Sequence, residues 1–230
     1  MKIAVLGTGK VGRVLAARLA GLGHDVVIGT RDPGRTMGRT EPDDTGALPY
    51  AQWQAEHPDV RLLAFPDAGA HAEVVVNATR GAVSLDALNA VGADNLGGKV
   101  VLDLALPLDF SDGMPPTLTV ANTDSLGEQV QCAFPNARVV KSLTSVFCEV
   151  MVDPGRIPGE HSIFLAGNDD VAKKTVQGIL DQFGWPAESI LDLGDITGAR
   201  AVEMYSRLFF TLAEMFGSFE LNINVIPGSH

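Results

Sequence analysis

Lys2-Ile3-Ala4-Val5-Leu6 runs without a linker into Gly7-Thr8-Gly9-Lys10-Val11-Gly12, which opens a helical run from Arg13 to Leu22. The reading of this stretch decides the fold. A short apolar strand feeding a G-x-G-x-x-G turn and then a helix is the context that the dinucleotide-binding fingerprint requires. Gly7 lets the chain turn sharply out of the strand, Gly9 removes a side chain where backbone must approach a pyrophosphate, and Gly12 allows close helix–strand packing. The helix N-terminus then offers free N–H groups and partial positive charge to phosphates. Val11, Val14, Leu15, Leu19 and Leu22 give the helix an apolar stripe, and Gly23-His24 stops it before a second strand, Asp25 to Ile28. The unit from Met1 to Arg35 therefore reads as a complete β-α-β nucleotide-binding unit.

The end of the second strand selects the dinucleotide. An NAD site places Asp or Glu there, about 20 residues after the glycines, to bind the ribose 2′-hydroxyl. This chain has Gly29-Thr30-Arg31, then Asp32, with Arg35 beyond. A hydroxyl with one or two guanidiniums suits a 2′-phosphate, because Arg offers a charged fork of donors. Asp32 dissents, since it could turn inward and accept a ribose hydroxyl. The expectation is NADP(H), with Thr30, Arg31 and Arg35 at its 2′-phosphate.

Charge follows the same pattern. Met1 to Arg39 holds seven basic residues against two acidic ones, a net of +5 within a chain of −11, which leaves −16 for the remainder. Positive charge sits where a dinucleotide's phosphates belong, and the acidic remainder argues against nucleic acid or an anionic membrane as partner. Cys132 and Cys148 lack C-x-x-C or metal spacing and read as reduced thiols. No apolar run has the length of a membrane span, so a soluble, cytoplasmic protein is expected.

Further strands are expected at Arg61 to Phe65, Glu73 to Ala78, Lys99 to Leu104, Thr117 to Ala121, Ala137 to Leu143, Ser162 to Ala166 and Ile190 to Leu193. Asp32 to Thr45 reads as a loop over the adenine end. Helices are expected at Ala47 to His57, Asp67 to Ala72, Ser84 to Val91, Asp124 to Phe134, Asp169 to Phe183 and Thr197 to Phe216. The fold class is α/β: a Rossmann doubly wound parallel sheet over residues 1–152, with a small C-terminal α/β lobe over 153–230. Ligands in such sheets lie beyond the carboxyl ends of the strands, which places Ala78 and Thr79, at the end of the fourth strand, and Ala105, after the fifth, at the cofactor. In the last helix, Val202, Tyr205, Leu208, Leu212 and Met215 share one face, read as core or a homodimer seam, while Arg200, Glu203 and Arg207 are spaced to pair on the polar side.

Several motifs together resemble one family: Gly7 to Gly12 with Gly29-Thr30-Arg31, Pro107-Leu108-Asp109-Phe110, Asn122 to Glu128, Phe183-Gly184-Trp185-Pro186, and Asp192-Leu193-Gly194-Asp195-Ile196. They are similar to the NADPH-dependent deazaflavin (coenzyme F-420) reductases, in their branch of bacterial dinucleotide-binding reductases. The resemblance implies that Gly7, Thr8, Gly9, Lys10, Val11 and Gly12 hold the pyrophosphate and that the protein is a homodimer. It also implies that hydride passes between nicotinamide and a deazaflavin stacked on it. Such transfer asks the protein for distance and stacking rather than an acid or base, which fits the absence of a triad or paired carboxylates. Pro107, Thr144 and Ser145 are the expected acceptor pocket. Ala105-Leu106 and Thr144-Ser145-Val146 stand where that family carries polar residues and a His-containing turn.

His24, His57, His71, His161 and His230 sit at turns, element ends or the terminus and are read as structural. No metal is expected, because no His/Cys/Asp cluster has ligand spacing. Two other readings are kept. One is an NADPH-dependent reductase of a small carbonyl or imine, for which Lys141, Thr144 and Ser145 are the nearby proton donors. The other is an NADP(H) sensor without turnover.

Overall fold

The computed structural model describes residues 1–42 and 46–228. Ten strands follow in chain order: β1 (Lys2–Leu6), β2 (Asp25–Thr30), β3 (Arg61–Ala64), β4 (Val74–Asn77), β5 (Val100–Asp103), β6 (Leu108–Asp109), β7 (Thr117–Leu118), β8 (Arg138–Ser142), β9 (Ile163–Gly167) and β10 (Ile190–Asp192). Eight of them form one sheet in the order β10-β9-β8-β5-β4-β1-β2-β3. From β3 to β8 all pairings are parallel, and the order reverses at β1, which is the Rossmann arrangement with β8 as sixth strand.

Both faces of this sheet are covered, and the sequence shows why. Alternate residues of a strand point to opposite faces, and here both sets are apolar. Ile3, Val5, Val74, Val76, Val100 and Leu102 pack into one core with Leu15 and Leu19 of the helix Lys10–Gly21. Ala4, Leu6, Val75, Val101 and Val139 pack into the other with Leu88, Leu96, Leu126 and Val130. Burial of each Val, Leu or Ile among them contributes roughly 1.5–3 kcal/mol. Continuous β-branched runs are what two-sided burial selects.

Across the expected boundary at 152/153 the sheet does not break. β9 runs antiparallel to β8, with Val140, Lys141 and Ser142 opposite Gly167, Ala166 and Leu165. β10 then adds in parallel to β9.

Four local expectations are corrected. Asp32 to Thr45 is not all loop: Pro33–Met37 is a helix, with Pro33 in its first turn, where its missing N–H costs nothing, and the Asp32 side chain as N-cap. Residues 43–45 lie outside the described residues. The expected strand at Thr117 to Ala121 shortens to Thr117–Leu118 and leaves the main sheet, pairing with Leu108–Asp109 as a separate ribbon. The last helix, Ala199–Phe216, buries Val202, Glu203, Ser206, Phe209 and Ala213, whereas Leu208 and Met215 are exposed, which corrects the expected apolar face as core and not as a homodimer seam. Finally, Glu203 turns inward instead of sharing a polar face with its neighbours. Arg200 pairs with Glu128 at 2.5 Å, and Arg207 donates to the carbonyls of Pro115 and Pro116.

Candidate functional site

The carboxyl ends of β1, β2 and β4 open into a cleft of about 790 Å³. Gly7 sits at its floor with φ +117°, and a Cβ there would stand 2.6 Å from the Ala78 carbonyl oxygen. A Cβ at Gly12 would fall 2.2 Å from the Gly7 carbonyl oxygen. These two contacts require glycine, whereas at Gly9 nothing lies within 4 Å of an added Cβ. The space above Gly9 is therefore free for a ligand. The helix Lys10–Gly21 begins there with no side-chain cap and no acid in its first turn. Its first internal bond runs from the Arg13 N–H to the Gly9 carbonyl, so the amides of Lys10, Val11 and Gly12 have no partner within the helix. Gly7, Thr8 and Gly9 line the cleft. The Lys10 ammonium instead meets Glu149 at 2.7 Å and lies over the Phe147 ring.

At the end of β2, Thr30 and Arg31 line the cleft, and the Thr30 hydroxyl pairs with that of Thr36 at 3.0 Å. Asp32 accepts the Arg35 N–H at 2.9 Å. Its carboxylate is used as a helix cap, which answers the dissent that it raised in the sequence. Arg35 is exposed and is not among the lining residues, whereas Thr36 and Arg39 are.

Two further lining residues had no local signal. Arg13, nearly buried, donates to the Thr8 and Leu48 carbonyls and lies 5.4 Å from the centre of the Tyr50 ring. It clamps the segment entering the helix Tyr50–Glu56 onto the glycine loop. The Tyr50 hydroxyl is buried without a partner among the described residues, and burial pushes its pKa up. This partnership joins positions 35 or more apart, which no spacing rule reveals; only the basic residue directly after Gly12 was visible.

Toward the other end, Ala78 and Thr79 line the cleft. The Thr79 hydroxyl donates to Asn77 Oδ1 at 2.7 Å, and Asn77 Nδ2 donates to Asp103 Oδ1 at 2.7 Å and to the Ser84 hydroxyl. Asp103 also accepts the Ala105 N–H at 3.2 Å. Ala105, Pro107, Thr144 and Ser145 are all buried and do not line the cleft. The chain leaves β8 through Leu143 at φ +65°, a left-handed conformation unusual for a bulky residue.

Lys141 does not reach the cleft. Its ammonium is fully buried, 2.9 Å from Asp103 and 2.9 Å from Glu203. Burial alone would depress it, but the two carboxylates outweigh burial and hold it above the ordinary lysine range. A locked ammonium of this kind does not serve as the proton donor that a carbonyl or imine reductase needs. Nor does Cys148 offer a thiolate, since burial first and Glu149 second push its pKa up to about 12.

The histidines are engaged in packing. His57 stacks on Trp53, His161 stands edge-on to Trp185 between the Pro154 carbonyl and Asn222, His24 bonds Gln182, and His71 lies beside Asp25. His230 lies outside the described residues. Among the described residues, no three His, Cys, Asp or Glu side chains gather as a metal site, and no helix is long and apolar enough to cross a membrane.

A family model described as NADP oxidoreductase, coenzyme F420-dependent, matches residues 2–107. Rat metalloreductase STEAP3 (Rattus norvegicus) is 26% identical over 202 residues; these are 88% of this chain, which spans only 36% of that protein's length. The F420-dependent NADP reductase of Methanothermobacter marburgensis is 29% identical over 230 residues, 92% of each chain. A crystal structure from Arthrobacter sp. FB24, of a candidate F420-dependent NADP-reductase, is 53% identical and superimposes with a TM-score of 0.93, covering 99% of this chain and 100% of that one. With a relative this similar from end to end, and with a glycine loop, an uncapped helix and an arginine-lined cleft in place, the chain belongs to the F420-dependent NADP oxidoreductase family.

Proposed function

We propose that this NADP-dependent oxidoreductase moves hydride between NADPH and a deazaflavin or flavin-like acceptor. The observation that carries the reading is one continuous cleft, lined from Gly7, Thr8 and Gly9, at the uncapped start of the helix Lys10–Gly21, to Thr30 and Arg31. In this reading Gly7, Thr8, Gly9, Lys10, Val11 and Gly12 hold the pyrophosphate through their backbone. Thr30 and Arg31 hold the 2′-phosphate from the cleft wall, and Arg35 reaches it from the exposed helix beside them. Ala78 and Thr79 border the nicotinamide on the cleft wall, Ala105 stands in the layer behind them, and the buried Pro107, Thr144 and Ser145 back the acceptor side. The bound cofactor supplies the hydride. The chain supplies orientation and exclusion of water, so a general acid is not needed.

We propose further that residues 153–230 act as a lobe of the Rossmann domain and that the protein pairs with a second copy. The stripe Leu208, Met215 and Phe216, with the last two each 66% exposed, supports that pairing.

The test is titration with NADPH and NADH, then addition of oxidised deazaflavin to the NADPH complex. Bleaching of its visible absorbance at a rate proportional to enzyme is expected. Tight NADPH binding without bleaching would reject the deazaflavin and leave the NADP site standing.

A further inference from the structure

The most elaborate polar structure in the molecule lies outside the cleft. Lys141 stands mid-sheet on β8 with no exposed surface, and its ammonium meets the carboxylates of Asp103 on β5 and Glu203 on the last helix, each at 2.9 Å. It also donates to the Ala105 carbonyl. Glu203 has a second task, accepting the N–H groups of Leu126 and Gly127 at 2.8 and 2.9 Å. Those amides begin the helix Leu126–Ala133, whose partial positive charge balances the second carboxylate. Asp103 reaches the other way, to the Ala105 N–H and, through Asn77, to the Thr79 hydroxyl on the cleft wall.

Stability alone is a poor account of such a cluster, because apolar replacements for buried ion pairs are often as stable or more so. Geometry is a better one. Ala105 is held from both sides, its N–H by Asp103 and its carbonyl by Lys141, two groups that are themselves paired. The next carbonyl, of Leu106, packs so closely on Gly81 that a Cβ there would stand 2.1 Å away. The turn after β5 and the turn after β4, which carries Thr79 and Arg80, are thereby fixed as one piece.

We propose that Lys141, held by Asp103 and Glu203, is a positioning residue for the nicotinamide end of the cofactor cleft. Through Ala105 and the Asn77–Thr79 branch it sets the wall against which the reacting ring lies. The adenine end is untouched by this network. The proposal rests on the cofactor reading above, which it deepens.

Two variants attack the cluster from opposite sides, Glu203→Gln and Asp103→Asn. Each leaves one carboxylate for one ammonium, so neither strands a buried charge. The probes are NADPH, followed by the fluorescence of its bound dihydronicotinamide, and adenosine 2′,5′-bisphosphate, which carries only the phosphorylated adenosine half. Loss of one charge-assisted hydrogen bond predicts a Kd for NADPH raised about tenfold, with a smaller fluorescence enhancement, while the bisphosphate changes less than about twofold. Equal weakening of both ligands would mean a merely structural cluster, and no change in either would mean that the cluster does not act on the cleft. Both results overturn the proposal. If one variant fails to fold, the other decides it. A wild-type protein that binds neither ligand would instead sink the cofactor reading itself, and the positioning role with it.

Discussion

The two ends of the cleft are built by opposite means. The end proposed for the phosphates and adenine is made of short-range chain: a glycine loop, an uncapped helix and exposed arginines within the first forty residues. The end proposed for the nicotinamide is backed, from outside the cleft, by buried side chains from β4, β5, β8 and the last helix, joined by bonds of 2.7 to 3.2 Å. One end recognises charge with groups that water still reaches, and the other holds shape with groups that water never meets. Mutations at tightly packed positions, the buried network and the close glycine contacts alike, should cost stability, and mutations of the exposed arginines should cost only selectivity.

The largest expected effect is at Gly12. Gly12→Val would drive a side chain into the Gly7 carbonyl oxygen, and we expect a loss of roughly 3 kcal/mol or more with NADPH binding abolished; an unchanged melting temperature would break the claim that this contact is tight. Next is Glu203→Ala, which strips one partner from Lys141 and leaves the Leu126 and Gly127 amides without an acceptor. Breaking a buried pair in this way costs about 3–5 kcal/mol, measurable by denaturant unfolding, and a cost below 1 kcal/mol would erase the contrast between the two ends.

Arg31→Ala should act on binding alone. Loss of a charged donor to phosphate predicts an NADPH affinity about tenfold weaker, with NADH nearly unchanged and the fold intact. Equal losses for the two nucleotides would move the 2′-phosphate away from Arg31. Smallest is the pair of Glu128 and Arg200. The hydrogen bond from Arg200 holds the Glu128 carboxyl below the usual carboxylate range, so its contribution is full above the unfolded value and is lost as pH falls through the folded one. Wild type should therefore be slightly more stable than Arg200→Met at neutral pH, and unfolding curves in acid should show the gap closing.

The same contrast governs what could be read in advance. β1, the glycine loop and the helix after it are consecutive, and each local preference agrees with the fold. Asp32 shows the limit of a side chain considered alone: Asp followed by Pro is also a helix-start signal, and that use prevailed over the ribose. The buried side of the last helix is hidden from periodicity for a different reason. Its residues are apolar on several sides, and the buried side is chosen by Lys141, a distant strand residue that draws Glu203 inward. Ser206 follows Glu203 into the interior at helical spacing, while Leu208 and Met215 are left outside. No periodicity contains that information, because the deciding charge lies more than sixty residues away.

The antiparallel join of β8 and β9 has a mechanical consequence. Rotation about the 152/153 boundary would shear the ladder that ties Val140, Lys141 and Ser142 to Gly167, Ala166 and Leu165. The sheet therefore behaves as a single plate, stiff across its width. At the rim of the cleft, one side chain does the same on a smaller scale: Arg13 joins the Leu48 carbonyl to the glycine loop.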